Sequence, residues 1–485
     1  MCGITGIWDL TKNISPSALT TQIDTMTQAL AHRGPDGTNT WYDHNARISL
    51  GHRRLSIIDL SCDAAQPMVS QSGQFVLTFN GEIYNHGALR NQLENKGIIF
   101  RTTSDTEVLL EMCAHYGLEE TLKKLIGMFA FGLWDVKNRK LHIVRDRLGI
   151  KPLYWGAQGG VFAFGSELQI FQHVPKWSSE INPASVGDYF QKGYISAPQS
   201  IYKNIFKVMP GQIVTIDTKG DIEKKIYWSA EHYIAKDRSQ KKTDVFISEI
   251  DGLVTDAIEK RLVADVPIGC FLSGGIDSAV VAAKMQSLSR EPIKTFSIGF
   301  EESSFNEAPQ AKKVADYLKT EHYETIISTT DCLKMAQTIH KAYDEPFSDS
   351  SQIPTLLVSK VARQHVTVAL SGDGGDEVFA GYNRYRAIQQ LWPIIEKTPL
   401  FLRKGATKTM LSLLPLLHTR AGKTLFTSNG SLSISLQKLS AILSATSIEN
   451  FYTKLTTHKF HFFAWLNKLH NIQYNFLQTE RKQQY

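Results

Sequence analysis

The sequence predicts two folded halves of different class: an α+β half built on stacked antiparallel sheets, and an α/β half built on a doubly wound parallel sheet. Many short apolar runs bounded by turn residues, with few helical patterns between them, fill the chain up to about Phe164 and are typical of antiparallel sheets. From Thr243 onward, strand patterns alternate with helical patterns, which indicates a parallel sheet. The length of 485 residues accommodates both halves, since domains usually contain about 100–200 residues.

The composition narrows the classes of protein to consider. With 42% hydrophobic and 21% charged residues, it is typical of a globular protein with a large core. The formal net charge of +6 is small for this length and the basic residues are spread out, so we expect no nucleic-acid partner. No apolar run approaches the roughly 18 residues of a membrane span, so we expect no membrane association.

The cysteine pattern bears on location. The five cysteines are widely separated and odd in number, with no spacing typical of zinc sites or disulfides. The amino terminus also lacks the basic and apolar regions of a signal peptide. Both observations favour a reducing, cytoplasmic location.

The elements of the amino-terminal half follow from apolar periodicity and turn residues. Apolar side chains at helical spacing predict a helix that ends near Leu30, and a second helix is predicted from Asp105 to about Tyr116. Short strands are predicted at 48–50, 55–58, 75–79, 128–134, 141–144, 153–155, 161–164 and 212–216. The strand 75–79 is expected to break at Asn80.

Cys2 is a candidate nucleophile. Removal of Met1, which is usual before a small second residue, would leave a thiol and a free α-amine on the same residue. An α-amine with a reference pKa near 7.7–8.0 is partly neutral at pH 7, so it can take the thiol proton without a separate base. A buried structural cysteine in an amino-terminal strand is the alternative at this point.

A glycine-rich loop at 271–279, FLSGGIDSA, lies where a buried strand should turn into a helix. Gly274 and Gly275 let the backbone approach a ligand, and the helix that begins near Ser278 offers unpaired N–H groups to a phosphate. Asp277 would repel an anion unless a magnesium ion lies between carboxylate and phosphate. The alternative is an ordinary strand-to-helix turn.

The elements around this loop alternate regularly. Helices are predicted at 245–262, 307–318, 330–343 and 353–364, and strands at 268–272, 293–300, 323–327 and 366–370. The charged stretch 236–242 contains no apolar residue and predicts the boundary between the halves.

A second glycine loop, 371–377, follows the last predicted strand. Ligands of doubly wound sheets bind beyond the carboxyl ends of the strands, so both loops are expected to face one crevice. This crevice would carry Asp277, Asp373 and Asp376, whose mutual repulsion again predicts Mg²⁺ with a polyphosphate. A helix cap with surface acids is the alternative for the second loop.

Six motifs of the amino-terminal half resemble the class II glutamine amidotransferase domain. They are 2–4 (CGI), 33–37 (RGPDG), 52–58 (HRRLSII), 79–84 (FNGEIY), 104–107 (SDTE) and 145–152 (RDRLGIKP). The resemblance implies a four-layer αββα sandwich of the amino-terminal-nucleophile hydrolases, in which Cys2 attacks the side-chain amide of glutamine. It further implies that Arg54 holds the glutamine carboxylate, Asp105 holds its α-ammonium, Asn80 and the Gly81 N–H form the oxyanion hole, and Glu82 lines the pocket.

The two glycine loops and the order of the halves resemble glutamine-hydrolysing asparagine synthetases over roughly residues 2 to 390. The resemblance implies ATP contacts at Leu272, Ile298, Ser371 and Gly372, and a phosphate cradle at Ser273, Gly274, Gly275 and Ser278. It also implies that Asp277 and Asp376 bind Mg²⁺ and pyrophosphate, and that Asp373 stands at an acidic position important for forming an acyl-adenylate. The stretch 344–354 (DEPFSDSSQIP) matches the family near the acceptor pocket.

The resemblance implies ATP-dependent amidation of aspartate with ammonia taken from glutamine and passed between two sites. The expected limits are 2–217 for the glutaminase domain, 218–242 for a linker, 243–457 for an incomplete adenylating domain, and 458–485 for a divergent tail. The Asp-Arg-Ala-Ser-type and Arg-x-Pro-x-x-Asp segments of the family are absent, so we expect a chain truncated at its carboxy terminus. The family often forms dimers, so a homodimer is expected.

Two alternatives stay open at this point. The acceptor could be another carboxylate, such as a uronic acid of a surface polysaccharide, because no stretch encodes a recognisable aspartate pocket. Alternatively, a truncated chain could retain only glutaminase activity and nucleotide binding.

Overall fold

The computed structural model describes residues 1–234, 242–302, 306–417 and 439–457. The chain folds into two compact units, one made of Met1–Val186 and Ile195–Ser371 and the other of Gly187–Tyr194 and Gly372–Tyr485. The predicted tail 458–485, and all but the last residue of the stretch 236–242, lie outside the described residues.

Two six-stranded antiparallel sheets form the amino-terminal half of the first unit. In spatial order, the strands of the first sheet are Ile205–Lys207, Tyr154–Gln158, Val161–Gly165, Gly3–Asp9, Ile48–Arg54 and Gly37–Asp43. Those of the second sheet are Ile222–Ile226, Gln212–Ile216, Lys140–Arg145, Gly127–Asp135, Phe75–Ile83 and Met68–Val69. The α-helices of this half are Pro16–Ala29, His86–Glu94, Asp105–Tyr116 and Leu118–Lys124. A further helix, Pro183–Lys192, begins in the first unit and continues into the second.

Alternation along the strands places three hydrophobic cores between four layers. Trp8 of the first sheet packs edge-to-face on Trp134 of the second, with ring centroids 5.0 Å apart. Ile7, on the opposite face of its strand, packs instead with residues of the helix Pro16–Ala29. Phe79 packs on the outer side of the second sheet with Leu109 of the helix Asp105–Tyr116. The result is the expected αββα sandwich.

A four-stranded parallel sheet forms the rest of the first unit. Its strands in spatial order are Glu321–Ile327, Lys294–Phe300, Ile268–Phe271 and Val368–Leu370. The helices of this part are Thr243–Arg261, Ile276–Leu288, Ala308–Leu318, Thr329–Thr338 and Gln352–Ala362.

Helices cover both faces of the parallel sheet. Cys270 packs with Met285 and Ala311, which belong to the helices Ile276–Leu288 and Ala308–Leu318. Phe271, the next residue of the strand, packs with Val358 of the helix Gln352–Ala362. Because successive residues of a strand point to opposite faces, this split confirms the predicted doubly wound sheet.

The described part of the second unit is helical beyond Gly372. Its helices are Gly375–Phe379, Asn383–Lys397, Leu400–Leu417 and Ile448–Thr456. A small core joins Ile395, Ile442 and Phe451, which are buried together. None of the helices in the described ranges is long and apolar enough to cross a membrane.

Two predicted features of the strands are wrong. Residues 55–58 form no strand, because the Leu55 N–H lies 3.4 Å from the Cys2 sulfur and the Ser56 N–H donates to the Asp36 carboxylate at 2.9 Å. The backbone donors of this segment are therefore engaged by side chains and not by a sheet ladder.

The second wrong feature is the predicted break at Asn80, since the strand continues unbroken over Phe75–Ile83. Gly81 pairs with Phe129 of the neighbouring strand. A Cβ at Gly81 would lie 2.3 Å from the Met128 carbonyl oxygen, so close approach of two strands explains this glycine, and not a turn.

One further strand lies within the expected linker. Ile222–Ile226 pairs antiparallel with Gln212–Ile216 and forms the edge of the second sheet. Residues 222–226 of the expected linker are therefore paired in a sheet.

Candidate active site

Cys2 lies at the start of the strand Gly3–Asp9 and faces a pocket. Its sulfur lies 3.4 Å from the backbone nitrogen and 3.6 Å from the carbonyl oxygen of Leu55. The pocket is lined by Cys2, Arg54, Leu55, Ile58, Ala64, Gln66, Phe79, Gly81, Glu82, Ser104, Asp105 and Thr106. The structure thus brings together five of the predicted site residues, and Asn80 lies on the same strand as Gly81.

The thiol of Cys2 needs help to ionise. Burial raises the pKa of the Cys2 thiol, which opposes formation of the thiolate. In the described chain Met1 precedes Cys2, and the Met1 α-ammonium donates to the Arg33 carbonyl oxygen at 3.3 Å. The Cys2 nitrogen is then part of a peptide bond, so a free α-amine on Cys2 requires removal of Met1.

Arg54 ends the strand Ile48–Arg54 and points into the loop that follows it. Its Nη1 donates to the Ser61 carbonyl oxygen at 2.6 Å, and its Nη2 donates to the carbonyl oxygen of Asp59. Two backbone carbonyls therefore orient the guanidinium group at the pocket wall. Such a planar fork suits a carboxylate.

Asp105 is the first residue of the helix Asp105–Tyr116, which Ser104 caps by accepting the Thr106 N–H at 3.1 Å. The Asp105 carboxylate accepts the Ile83 N–H at 2.9 Å, and burial raises the pKa of Asp105. Ser104 therefore supplies the cap, while Asp105 places a buried carboxylate in the pocket. A cation such as an α-ammonium would offset its loss of solvation.

Asn80 contributes an unsatisfied donor. Its side chain is 1% exposed, and its Nδ2 has no hydrogen-bond partner among the described residues. Buried amide donors are normally paired, so an orphaned one calls for an explanation such as a ligand. A developing oxyanion would be a suitable acceptor.

Glu82 is a strongly perturbed acid of the pocket wall. Burial is the main cause that raises its pKa to about 7, while the Lys151 ammonium acts in the opposite direction. Lys151 is itself buried, and burial lowers its pKa. Glu82 lines the pocket of the reacting thiol, and the positive charge of Lys151 acts on that thiol as well.

The first glycine loop has the geometry of a phosphate cradle. Gly274 adopts φ +80°, and a Cβ there would lie 2.9 Å from the backbone nitrogen of Ala311. Gly275 is the N-cap residue of the helix Ile276–Leu288 and has no side chain that could accept hydrogen bonds from the first N–H groups of the helix. The hydroxyls of Ser273 and Ser278 lie 3.0 Å apart across the loop.

Three other predicted ATP contacts, Leu272, Ile298 and Ser371, belong to or follow strands of the parallel sheet. Leu272 is buried directly after its strand and donates its N–H to the Phe296 carbonyl oxygen at 2.8 Å. Ile298 belongs to that neighbouring strand, Lys294–Phe300, and Ser371 follows the strand Val368–Leu370 on the other side. The carboxyl ends of parallel strands meet at one edge, so these residues follow adjacent strands.

The rest of the second loop belongs to the second unit. Gly374 adopts φ +93° and precedes the short helix Gly375–Phe379, which contains Asp376. Gly372 and Asp373 lie just before it. The expectation that Asp373 and Asp376 face Asp277 in one crevice stays a prediction.

A magnesium site is compatible with the residues present. Within 1–234, 242–302, 306–417 and 439–457, no group of three or more His, Cys, Asp or Glu residues could hold a metal ion. Mg²⁺ bound together with a polyphosphate needs only one or two protein carboxylates, since phosphate oxygens and water complete its octahedron. Asp277, in the first turn beside the uncapped N–H groups, fits such an ion.

Comparison with known proteins decides the family. Residues 1–228 match a glutamine amidotransferase domain and residues 249–479 match an asparagine synthase domain. A putative glutamine-hydrolysing asparagine synthetase 2 from Methanocaldococcus jannaschii is 39% identical over 84% of this chain and 80% of its own length. The chain belongs to the glutamine-hydrolysing asparagine synthetase family.

A second relative of the family is longer. Glutamine-hydrolysing asparagine synthetase 1 of Bacillus subtilis is 38% identical over 83% of this chain, and the match spans 62% of the relative's length. Among solved structures, the glutamine phosphoribosylpyrophosphate amidotransferase of B. subtilis with ADP and GMP covers 67% of this chain and 81% of its own, at 17% identity and a TM-score of 0.36. That similarity is too low to carry a functional conclusion.

Two residues hold parts of the pocket in place, and the sequence motifs did not reveal their roles. Gln66 accepts the Phe79 N–H at 2.7 Å and donates to the Thr106 hydroxyl at 3.1 Å, which ties the strand of Asn80 to the helix of Asp105. Nothing in its local sequence marks it. Arg33 lies in the RGPDG motif, but only its contact with Cys2 shows what it does.

Proposed function

We propose that this chain makes asparagine from aspartate and ATP, with glutamine as the nitrogen donor. The observation that carries the glutaminase step is the convergence of Cys2, Arg54 and Asp105 on one pocket. A cationic fork and a buried carboxylate match the two charged groups of an α-amino acid, and the Cys2 thiol lines the same pocket. Membership of the family supports the synthetase step.

The glutaminase step proceeds as an acyl transfer. After removal of Met1, the α-amine of Cys2 takes the thiol proton, and the sulfur attacks the side-chain amide carbon of glutamine. Asn80 Nδ2 and the Gly81 N–H stabilise the oxyanion. The C–N bond then breaks, the amide nitrogen takes a proton and leaves as ammonia, and water hydrolyses the remaining thioester.

The synthetase step uses the other half of the chain. An aspartate carboxylate attacks the α-phosphorus of ATP, which gives β-aspartyl-AMP and pyrophosphate, and ammonia passed from the first site displaces AMP. The loop around Gly274 and Gly275 holds the phosphates through backbone N–H groups, with Ser273 and Ser278 beside them. Asp373 assists adenylate formation. Asp277 and Asp376 would hold Mg²⁺, which would supply positive charge to neutralise the phosphates.

The organisation of the chain is part of the proposal. The glutaminase domain would span 2–217 and the adenylating domain 243–457, with a linker at 218–242. The protein would act in the cytoplasm as a homodimer on small-molecule substrates, without nucleic acid.

The test measures AMP and asparagine formed from aspartate, ATP and Mg²⁺, with either glutamine or ammonia supplied. We expect both products with either nitrogen source. Cys2→Ala should abolish glutamine hydrolysis and glutamine-dependent synthesis while ammonia-dependent synthesis survives. Equal loss of both activities would contradict the two-site scheme.

Substrate variation separates the alternatives. AMP formed with a uronic acid but not with aspartate would assign the acceptor to another carboxylate. Glutamine hydrolysis without AMP for any carboxylate would leave a glutaminase alone.

A further inference from the structure

One residue of the adenylating half makes a reciprocal backbone contact with the glutaminase half. The Asp265 carboxylate accepts the Asp59 N–H at 2.7 Å, and the Asp265 N–H donates to the Ile57 carbonyl oxygen at 2.9 Å. Asp265 lies between the helix Thr243–Arg261 and the strand Ile268–Phe271. Both partners belong to the first unit.

Asp59 is held in an unusual backbone conformation. It adopts φ +58° and is 8% exposed. A left-handed conformation is uncommon for residues other than glycine, although aspartate adopts it more readily than most, and the contacts of Asp59 help to fix it. The hydrogen bond from the Asp59 N–H to Asp265 is one of the contacts that impose it.

Asp59 in turn contacts both parts of the pocket that are proposed to bind glutamine. Its carbonyl oxygen accepts a hydrogen bond from Arg54 Nη2. Its carboxylate accepts the Thr103 N–H at 2.7 Å and the Thr103 hydroxyl at 3.2 Å. Thr103 directly precedes Ser104, the cap of the helix that begins with Asp105.

We propose that Asp265 is a positioning residue for glutamine binding, which acts through Asp59 on Arg54 and Asp105. The inference rests on the glutaminase function proposed above and extends it, because it assigns control of glutamine affinity to a residue of the adenylating half. The strand that leads into the FLSGG loop starts three residues after Asp265. The glutamine pocket is thereby linked directly to the segment that carries that loop.

A second contact between the halves does not involve Asp59. The Arg261 guanidinium lies 4.2 Å above the Tyr84 ring. The halves therefore have contacts that remain when Asp265 is replaced. Asp265 is itself an exposed residue, so its replacement should leave the fold intact.

The test compares Asp265→Ala with Asp265→Asn in the full-length chain. The alanine variant cannot accept the Asp59 N–H, so KM for glutamine should rise about five- to tenfold while kcat changes less than twofold. The asparagine variant keeps an acceptor oxygen and should restore KM to within about twofold. Asp251→Ala is the matched control, because it removes an ion pair to Lys284 within the adenylating half.

Alkylation of Cys2 gives an independent readout, followed by mass spectrometry of the peptide that contains Cys2. A diazoketone analogue of glutamine needs Arg54 and Asp105 to bind, so its reaction should slow about five- to tenfold in Asp265→Ala. Iodoacetamide needs neither group and should react at the wild-type rate. If the alanine variant does not fold, Asp265→Glu, which displaces the carboxylate by one methylene, serves in its place.

The outcomes distinguish failure of the Asp265 proposal from failure of the proposed function. An unchanged KM, or a fall in kcat alone, or equal slowing by both reagents, would overturn the role of Asp265 and leave the proposed function intact. A wild-type chain that neither hydrolyses glutamine nor shows protection of Cys2 by glutamine would overturn the proposed function itself and the inference with it.

Discussion

The Nε of Arg33 donates a 2.9 Å hydrogen bond to the carbonyl oxygen of Cys2, and its Nη1 forms a 2.8 Å ion pair with Glu167. The backbone of the nucleophile is therefore held by a side chain from the RGPDG turn. Glu167 fixes that side chain and follows the strand Val161–Gly165, which pairs with the strand that begins after Cys2.

Replacing Arg33 should misplace the nucleophile. In Arg33→Met the Cys2 carbonyl loses its donor, and we expect kcat for glutamine hydrolysis to fall at least about tenfold, since small displacements of reacting groups are costly. His32→Gln is the control, because His32 contacts the same Glu167 at 3.0 Å but does not touch Cys2. Equal losses in both variants, measured by ammonia release, would contradict a role through Cys2.

Asp277→Asn should separate the two activities. If the Asp277 carboxylate acts through magnesium, its loss should suppress AMP and pyrophosphate formation at least about tenfold while glutamine hydrolysis is unchanged. Asp256→Asn, which removes an exposed ion pair to Lys260, is the control. Unchanged AMP formation in Asp277→Asn would refute the metal role.

Gly34 should not tolerate a side chain. A Cβ at Gly34 would lie 2.3 Å from the Arg53 carbonyl carbon, so Gly34→Ala should destabilise the fold by about 1–3 kcal/mol. Gly87→Ala is the matched control, because a Cβ there meets no atom within 4 Å and the residue lies in the helix His86–Glu94. That change should stabilise by about 0.5–1 kcal/mol. Denaturant titrations would compare the two, and similar effects would show that the close approach is not real.

Glu82 should make stability depend on pH. Its pKa of about 7 in the folded chain exceeds the ordinary value of 4.5 because of burial, so the folded state binds more protons than the unfolded state between these values. The free energy of unfolding should therefore decrease as pH rises from about 4.5 to 7, by up to about 3 kcal/mol. Glu82→Gln should lose this decrease, whereas Glu231→Gln, an exposed control, should keep it. Parallel pH profiles for wild type and Glu82→Gln would exclude the raised pKa.

Much of the local structure could be predicted from apolar periodicity, because burial of one face forces the side-chain pattern of a strand or helix. The predicted strand 212–216 and the predicted helix 105–116 coincide with the observed Gln212–Ile216 and Asp105–Tyr116. The strand predicted at 55–58 is wrong because the backbone donors of this segment contact Cys2 and Asp36, which lie far away in the chain. No local pattern records such partners.

The motifs by themselves determined the family, the order of the two halves and the candidate residues Cys2, Arg54, Asp105 and Asp277. Only the tertiary structure decided how these residues are held. Arg33 donates to the backbone of Cys2, and Asp59 is hydrogen-bonded to both Arg54 and Asp265. The physical reason is that a chemical role requires particular types of side chain, and these can be identified directly from the sequence. Their orientation depends on hydrogen bonds to backbone groups distant in the chain, and those exist only after folding.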